Sequence, residues 1–197
     1  MMIDRRSLLL SVSAAAAALP SFAQTGRVEG VFGTRVRVEV FSDFQCPGCK
    51  QLHEGTIREL RNEYVASGRV QLVHHEFPLP MHPYARQAAL YACAADKLGQ
   101  YRNVCDALFR DQQIWSQNGQ MDATLAKVLK AAELAKVKAL AQDPKIVAEV
   151  NADVELGKKA PVTQTPTMLV TAKGKTQPIA GAISYAIFRR YIETLLA

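Results

Sequence analysis

Hydrophobic and polar residues alternate with a period of two in several short parts of the chain, which is the pattern of half-buried β-strands. In VRVEVF, Val36, Val38 and Val40 share one face of the predicted strand. Lys173-Gly174 suits a short hairpin turn between the last two strands. The strands predicted in this way cover residues 36–41, 70–77, 165–170 and about 177–180.

Apolar residues that recur every third or fourth position predict helices between these strands. The first helix begins near Pro47, whose missing N–H costs nothing in a first turn, and it ends near Gly68. Helical stripes then fill residues 80–158, and a last helix begins at Ser184. The order β-α-β, helical block, β-β-α predicts an α/β domain: a mixed sheet with helices on its faces and a helical insertion at about 80–158.

The first 23 residues have the pattern of a cleaved export signal. Arg5 and Arg6 precede an apolar run, and Ser21-Phe22-Ala23 places small residues where a signal peptidase reads them. The apolar run is shorter than the roughly 20 residues that span a bilayer. The paired arginines leave both Sec and twin-arginine export open. We therefore predict a signal at 1–23, one domain at 24–197, and a periplasmic or secreted location.

Charge and cysteine content narrow the possible partners. The chain has 24 basic and 18 acidic residues, a net charge of +6, and the basic side chains are scattered. Without a basic stripe interleaved with aromatic residues, nucleic acid is not an expected partner. Export would bring the protein into an oxidising compartment where disulfides persist. Four cysteines follow the predicted signal: Cys46, Cys49, Cys93 and Cys105.

The motif Cys-x-x-Cys lies in FSDFQCPGCK, residues 41–50. This spacing serves zinc sites as well as redox pairs. Here it follows a predicted strand and opens a predicted helix, so Cys46 would lie where free N–H groups and the helix dipole favour a thiolate. A thiolate is the nucleophile in disulfide exchange, and Cys49 lies one turn further along the helix. The position therefore favours redox chemistry.

Three motifs together resemble the DsbA-like branch of the thioredoxin superfamily: FSDFQCPGCK, HHEFPLP and the Thr-Pro-Thr that precedes the hairpin. The resemblance covers nearly all of the chain after residue 23. It implies a thioredoxin fold with a helical insertion after the second strand of the β-α-β unit. It also implies an exported thiol–disulfide oxidoreductase that needs no organic cofactor and no metal.

The resemblance also implies roles for individual residues. Cys46 corresponds to the exposed attacking cysteine and Cys49 to the buried one. Pro166 corresponds to a proline held in cis beside the pair, which presents the backbone of Thr165 to a substrate chain that adds like a further strand. Taken alone, Pro166 is equally typical of an ordinary proline at the start of a strand.

The chain departs from the family pattern at two positions. Many relatives carry a buried acidic residue six positions before the attacking cysteine, where it relays protons, but this chain has Val40. Glu39 is adjacent and, by strand alternation, faces the other way. Strongly oxidising members have a histidine as the second residue between the cysteines, but this chain has Gly48. We expect this pair to be less oxidising than theirs.

Cys93 and Cys105 lie in the apolar stripes of consecutive predicted helices, six residues on either side of Gly99. In a helical hairpin they would face each other at similar height, so a structural disulfide and two separate buried thiols are both compatible with the sequence. The distance between the Cα atoms decides, and periodicity does not provide it.

Metal binding is the competing chemistry. His53 extends the motif to C-x2-C-x3-H, but the sequence contains no second compact pair of ligands such as a structural zinc site requires. His74 and His75 are adjacent in a strand and point to opposite faces. We therefore predict no metal ligands. Phe44, Met81 and Met168 could line a substrate groove, although each residue type is more typical of a core.

We predict an oxidase that forms disulfides in exported cysteine-containing proteins and depends on an unidentified redox partner. Family isomerases carry an N-terminal dimerisation domain, and little chain separates residue 23 from the first strand. We therefore expect a monomer. An isomerase or reductase is the alternative within the class, and a metal carrier with a thioredoxin fold is the alternative outside it.

Overall fold

The computed structural model describes residues 26–197, so the predicted export signal lies outside the described residues. Five strands form one mixed sheet in the order β1-β3-β2-β4-β5. β2 and β3 are parallel, and the other neighbouring pairs are antiparallel. The strands are β1 (Arg27–Glu29), β2 (Val36–Ser42), β3 (Val70–Glu76), β4 (Thr167–Ala172) and β5 (Lys175–Ala180). The predicted mixed α/β sheet is confirmed.

Differences from the predicted strands have local causes. β4 begins at Thr167, two residues later than predicted, because Pro166 has no N–H to donate to the ladder. β4 and β5 meet in a two-residue turn in which Lys173 and Gly174 both have positive φ, the geometry that matches strand twist in a hairpin. The sequence pattern missed β1, since three residues are too few to establish an alternation.

The helix between β2 and β3 runs through residues 47–65 and changes its winding twice. It starts as α1 (Pro47–Leu52), widens to a π-helical turn at His53–Ile57, returns to α geometry in α2 (Arg58–Leu60) and ends with a second π-helical segment, Arg61–Val65. Such turns often occur near functional sites, and the first one follows the cysteine motif directly.

The remaining helices match the predicted block and the predicted last helix. Asp143 caps α8 by accepting a hydrogen bond from the Lys145 N–H at 2.8 Å. Among residues 26–197, no helix is both long and apolar enough to cross a membrane. These helices are α3 (Ala85–Asp96), α4 (Tyr101–Arg110), α5 (Gln112–Trp115), α6 (Asp122–Leu125), α7 (Ala131–Leu140), α8 (Pro144–Lys159) and α9 (Tyr185–Leu196).

Two hydrophobic cores meet at the cysteine motif. One core packs valines of β2 against Leu52 and against Phe188 of α9. The other fills the helical block around Leu108 and the fully buried Trp115, and it also contains Cys46 and Cys49. The start of α1 is therefore packed between the sheet and the inserted helices.

The chain enters and leaves the helical block at neighbouring points, which we call the neck. Phe77, just after β3, and Ala160, just after α8, both pack on a small cluster formed by Phe41, Val162 and Leu169. α8 approaches Phe77 closely because residue 157 is glycine, and a Cβ there would lie 2.5 Å from the Phe77 ring. The neck thus holds the two ends of the helical block beside the sheet.

Charged residues buried at the neck side of the sheet hold β1, β3 and α8 together. The carboxylate of Asp153 is fully buried on α8 and pairs with the Arg27 guanidinium. It also accepts hydrogen bonds from the His75 ring at 2.9 Å and from the Glu76 backbone N–H at 3.1 Å. One carboxylate on α8 therefore satisfies groups on both β1 and β3.

We expect Asp153→Ala to lower the free energy of unfolding by about 3–5 kcal/mol, because it leaves the buried Arg27 without its charge partner. Urea denaturation followed by circular dichroism measures the change. Glu155→Ala is the matched control, since Glu155 lies on the same helix with its carboxylate exposed and paired only to Lys158. Equal stability of the two variants would contradict the structural role of Asp153.

Candidate active site

The local backbone places the Cys46 sulfur at the start of α1. β2 ends at Ser42, and the Cys46 N–H donates to the Asp43 carbonyl at 3.1 Å to close a turn. Pro47 then occupies the first helical position, and the Cys46 carbonyl accepts the N–H of Cys49 at 3.1 Å. Cys46 is 9 % exposed and Cys49 1 % exposed. Cys46 is thus the more accessible of the two cysteines, although most of its surface is buried.

Cys46 is held as a thiolate by its surroundings. Its pKa is lowered to about 5, first by a hydrogen bond from the Cys49 thiol and, against the opposing effect of burial, by Thr165 and the N–H groups of Cys49 and Gly48. N–H groups at the start of a helix favour a nearby anion in this way. At neutral pH Cys46 is therefore mainly in its ionised, nucleophilic form.

Cys49 has the opposite character. Burial raises the pKa of its thiol well above the ordinary value, and the neighbouring Cys46 raises it further. The Asp43 backbone N–H points at the Cys49 sulfur from 3.3 Å and partly opposes this effect. Cys49 is therefore a protonated thiol at neutral pH, and it has to lose a proton before it can attack a disulfide.

The peptide bond between Thr165 and Pro166 is cis and lies against the cysteine pair, as the family resemblance implies. The Cys46 sulfur is 3.4 Å from the Thr165 carbonyl oxygen, across 119 residues of sequence. A Cβ at Gly48 would lie 3.2 Å from the Pro166 ring and 3.8 Å from the Cys46 sulfur. The Pro166 segment therefore lies directly over position 48 of the motif, and a side chain there would touch its ring.

The Thr165 hydroxyl is buried and has no hydrogen-bond partner among the described residues. The thiol form of Cys46 donates to the Thr165 carbonyl, whereas the thiolate needs donors. Thr165 also lowers the pKa of Cys46. Its carbonyl oxygen is the polar group that contacts the reacting sulfur.

Asp43, which no sequence pattern singles out, organises the surroundings of the pair. Its buried carboxylate accepts hydrogen bonds from the Leu79 N–H at 2.7 Å and from the His82 ring at 2.8 Å. It therefore fixes the loop after β3 beside the cysteines. That loop carries Met81, which is 70 % exposed. In the sequence Asp43 simply follows a strand, where aspartate is common as a turn residue, so nothing local indicates its role.

Two contacts from the helical block were also missed. The Gln112 amide donates to the carbonyls of Phe44 and Cys46 at 2.6 and 3.0 Å. The Lys50 ammonium donates to the Phe109 carbonyl at 2.5 Å. These pairs are about 60 residues apart in sequence, and no local pattern indicates them. The structure also puts Phe44 and Met168 in the core and leaves Met81 at the surface.

The four histidines are paired with carboxylates. His53, directly after α1, contacts Asp106 at 2.6 Å, and His74 and His75 lie on opposite faces of β3, as predicted. Within residues 26–197, no three His, Cys, Asp or Glu side chains converge in a way that would hold a metal ion. The other two partners are Glu29 for His74 and Asp43 for His82; His75 contacts both Asp153 and Glu39.

Cys93 and Cys105 are free thiols in this structure. Cys93 packs with Ile146 and Val150 between α3 and α8, and its sulfur accepts a hydrogen bond from the Arg27 guanidinium at 2.6 Å. Cys105 lies in the other core, within the helical block. Burial raises the pKa of both thiols. The structure thus has two separate buried thiols here, and a bridge between them stays a prediction for the oxidised protein.

Comparison with known proteins places this geometry in context. A family model described as Thioredoxin matches residues 23–194. None of the curated proteins compared with the chain matches it in sequence.

Solved structures similar to this one share its fold at low sequence identity. α-DsbA1 from Wolbachia pipientis superposes with a TM-score of 0.72 at 19 % identity, over 90 % of this chain and 92 % of that one. Oxidised BdbD from Bacillus subtilis gives 0.69 at 21 % identity, over 87 % and 92 %. DsbA2 from Pseudomonas aeruginosa gives 0.63 at 23 % identity, over 87 % and 94 %.

We expect Cys49→Ala to raise the pKa of Cys46 from about 5 toward the ordinary thiol value. The variant removes the largest stabilising hydrogen bond, and a hydrogen bond to a charged group contributes about 1.5–3 kcal/mol. Thiolate absorbance at 240 nm, or the pH dependence of iodoacetamide alkylation, measures the change. Cys105→Ala removes a buried thiol elsewhere and should leave the titration of Cys46 unchanged. An unchanged pKa in Cys49→Ala would contradict the assigned cause.

Proposed function

The chain belongs to the thioredoxin family and has the fold of the DsbA proteins, and from this premise we propose that it is a thiol–disulfide oxidoreductase. It exchanges disulfides with cysteine-containing proteins through Cys46 and Cys49. The observation that carries the proposal is the unequal state of the two sulfurs, one ionised and one protonated, beside a cis proline.

The reaction in the oxidising direction follows from this asymmetry. A substrate thiolate attacks the Cys46 sulfur of the Cys46–Cys49 disulfide, and Cys49 leaves as a thiolate that takes up a proton. A second substrate thiolate then attacks the substrate sulfur of the mixed disulfide and releases Cys46 as a thiolate. The substrate loses two electrons and gains a disulfide, and the cysteine pair gains the two electrons.

The direction of exchange follows from the stability of the products. The folded protein stabilises the Cys46 thiolate, which exists only in the reduced form. At neutral pH an ordinary thiol, with a pKa near 9, stays protonated, so this stabilisation favours the reduced protein over the disulfide. A reduced form that is stabilised makes the pair an oxidant. We therefore propose an oxidase; an isomerase or reductase would use the same two sulfurs.

Substrate binding would use the backbone around Thr165. Its carbonyl faces the Cys46 sulfur, and an extended substrate can add beside this segment through main-chain hydrogen bonds. The loop held by Asp43 borders the site on the other side and exposes Met81, a flexible apolar side chain suited to varied partners. Thr165 and Pro166 are the residues we assign to substrate binding.

The setting of the reaction is also part of the proposal. The signal pattern at 1–23 supports export to the periplasm or beyond, where substrate proteins gain disulfides. A redox partner must remove electrons from the reduced pair after each turnover. We propose that the protein acts as a monomer on exported proteins with cysteines and without a resident metal or organic cofactor.

Trapping of mixed disulfides tests the proposed function. We expect Cys49→Ala, first loaded at Cys46 as a mixed disulfide with glutathione, to exchange the glutathione for reduced, unfolded cysteine-containing proteins. The adducts should accumulate until dithiothreitol releases them, because the second cysteine no longer resolves them. The double variant Cys46→Ala/Cys49→Ala is the matched control and should trap nothing. Absence of thiol-sensitive adducts in the single variant would reject the oxidoreductase, and stoichiometric zinc or copper in the purified protein would then favour a metal carrier.

Residue 48 tunes the oxidising strength in this proposal. We expect Gly48→His to make the pair more oxidising, because an imidazolium close to the Cys46 sulfur would stabilise its thiolate further. Equilibration with glutathione measures the potential, and about 30 mV corresponds to a tenfold change in the equilibrium constant. Gly48→Ala controls for the close contact with the Pro166 ring. An equal potential in both variants would contradict the role given to residue 48.

A further inference from the structure

A small internal cavity lies directly beneath the cysteine pair. It measures about 20 Å³, which is room for one water molecule. Cys49 forms part of its wall together with Val40, and Glu76 forms part of the wall contributed by β3. Ser42 and Tyr101 add hydroxyl groups to the lining, so a water there has polar partners.

The sheet register explains why Glu76 reaches this cavity. In the parallel ladder Val40 pairs with His74, and Ser42 pairs with Glu76. Side chains at alternate positions share a face, so all four are on the side of the sheet that α1 covers. Val40 occupies the position where the family resemblance implies an acid. Glu76 lies two residues further along the sheet and one strand over.

Glu76 is a buried carboxyl group with few stabilising partners. It is 1 % exposed, and the Tyr101 hydroxyl donates to it at 2.8 Å. Burial is the main reason why its pKa rises to about 7, against the attraction of Arg27. Its carboxyl group is therefore able to give up or accept a proton near neutral pH. The other titratable groups that act on it or border it are His75 on β3, Asp153 on α8, Cys93 on α3, Cys105 on α4 and His74 on β3.

The cavity wall contains other titratable groups. The rings of His53 and His74 each contact a carboxylate, Asp106 and Glu29, through the Nε2 atom. Burial raises the pKa values of Tyr101 and Cys105 well above their ordinary values, so both stay protonated. Among the described residues, Glu76 is the one carboxylic acid in the cavity wall.

We propose that Glu76 is the proton donor and acceptor for Cys49 and acts through a water molecule in this cavity. It would take the role of the acid that the family pattern has at position 40, where this chain has Val40. The proposal rests on the proposed function of the cysteine pair and adds a positioning and proton-transfer role that the motif does not contain. The family pattern has the acid on β2, whereas the proposal assigns its role to a residue on the neighbouring strand β3.

The proton balance is simple in both directions. When a substrate thiolate opens the Cys46–Cys49 disulfide, the Cys49 thiolate accepts a proton from the Glu76 carboxyl group through the water. During reoxidation, the Glu76 carboxylate accepts the Cys49 proton as the Cys49 sulfur attacks Cys46 in a mixed disulfide with the partner. The partner's thiolate leaves, the Cys46–Cys49 bond forms, and Glu76 ends protonated.

Reaction of the reduced protein with excess oxidised glutathione tests the proposal. Attack by the Cys46 thiolate forms a mixed disulfide with glutathione, and Cys49 then resolves it; acid quenching and mass spectrometry follow both steps. In the wild type we expect the resolution rate to rise with pH through an inflection near 7 and then to level off. In Glu76→Gln we expect resolution at pH 7 to be at least about tenfold slower and the inflection to be lost.

The two steps separate this proposal from the proposed function. Failure to form the mixed disulfide at all would reject the oxidoreductase itself. A mixed disulfide that forms normally and resolves with the wild-type rate and pH profile in Glu76→Gln would overturn the role of Glu76 alone. A purely structural role would lower stability but would leave the inflection in place.

Glu39→Gln is the matched control. Glu39 lies on β2, one residue from Val40, and contacts His75 and Arg37 on the opposite face of the sheet, away from the cavity. It should keep the wild-type profile. If Glu76→Gln does not fold, the pH profile of the wild type still tests the proposal. A wild-type resolution rate that rises tenfold per pH unit up to pH 9 without levelling would overturn it.

Discussion

The interaction between the Cys46 and Cys49 sulfurs, which lowers the pKa of Cys46 and raises that of Cys49, is the one on which the chemistry of this site depends. It exists because one sulfur lies at the open start of α1 and the other lies one turn deeper, against the sheet. The helix N–H groups and the bond from Cys49 stabilise a charge on Cys46, while burial denies a charge to Cys49. A single backbone feature, a helix that begins between two cores, thus produces two thiols with opposite properties.

Much of the scaffold could be predicted from the sequence because its elements have local patterns. Alternation in VRVEVF, the Pro47 helix start and the apolar stripes of the insertion each indicate their element within a dozen residues. The motif and the cis proline were accessible by resemblance. The contacts that complete the site were not, since Gln112, Lys50 and Asp43 act on groups that only the folded chain brings near.

The same limit applies to the carboxyl groups of the sheet. Glu39, Glu76 and Asp153 have similar side chains, but their surroundings differ. Salt bridges and hydrogen bonds keep the Glu39 pKa low, near 2, whereas burial raises that of Glu76 to about 7. Which carboxyl faces which cavity depends on strand register and on helices packed from elsewhere. A sequence reports the presence of an acid, but its proton affinity is a property of the assembled interior.

The neck gives the protein a modular construction. The chain leaves the sheet at Phe77 and returns at Ala160 beside the same small cluster, so the two chain connections between the sheet and the insertion lie together. An insertion whose ends are neighbours can change in length or surface without altering the order of the strands. The reacting sulfurs and the proline belong to the thioredoxin unit, and the inserted helices border them. Evolution or design can therefore vary the surface offered to partners while the redox centre stays the same.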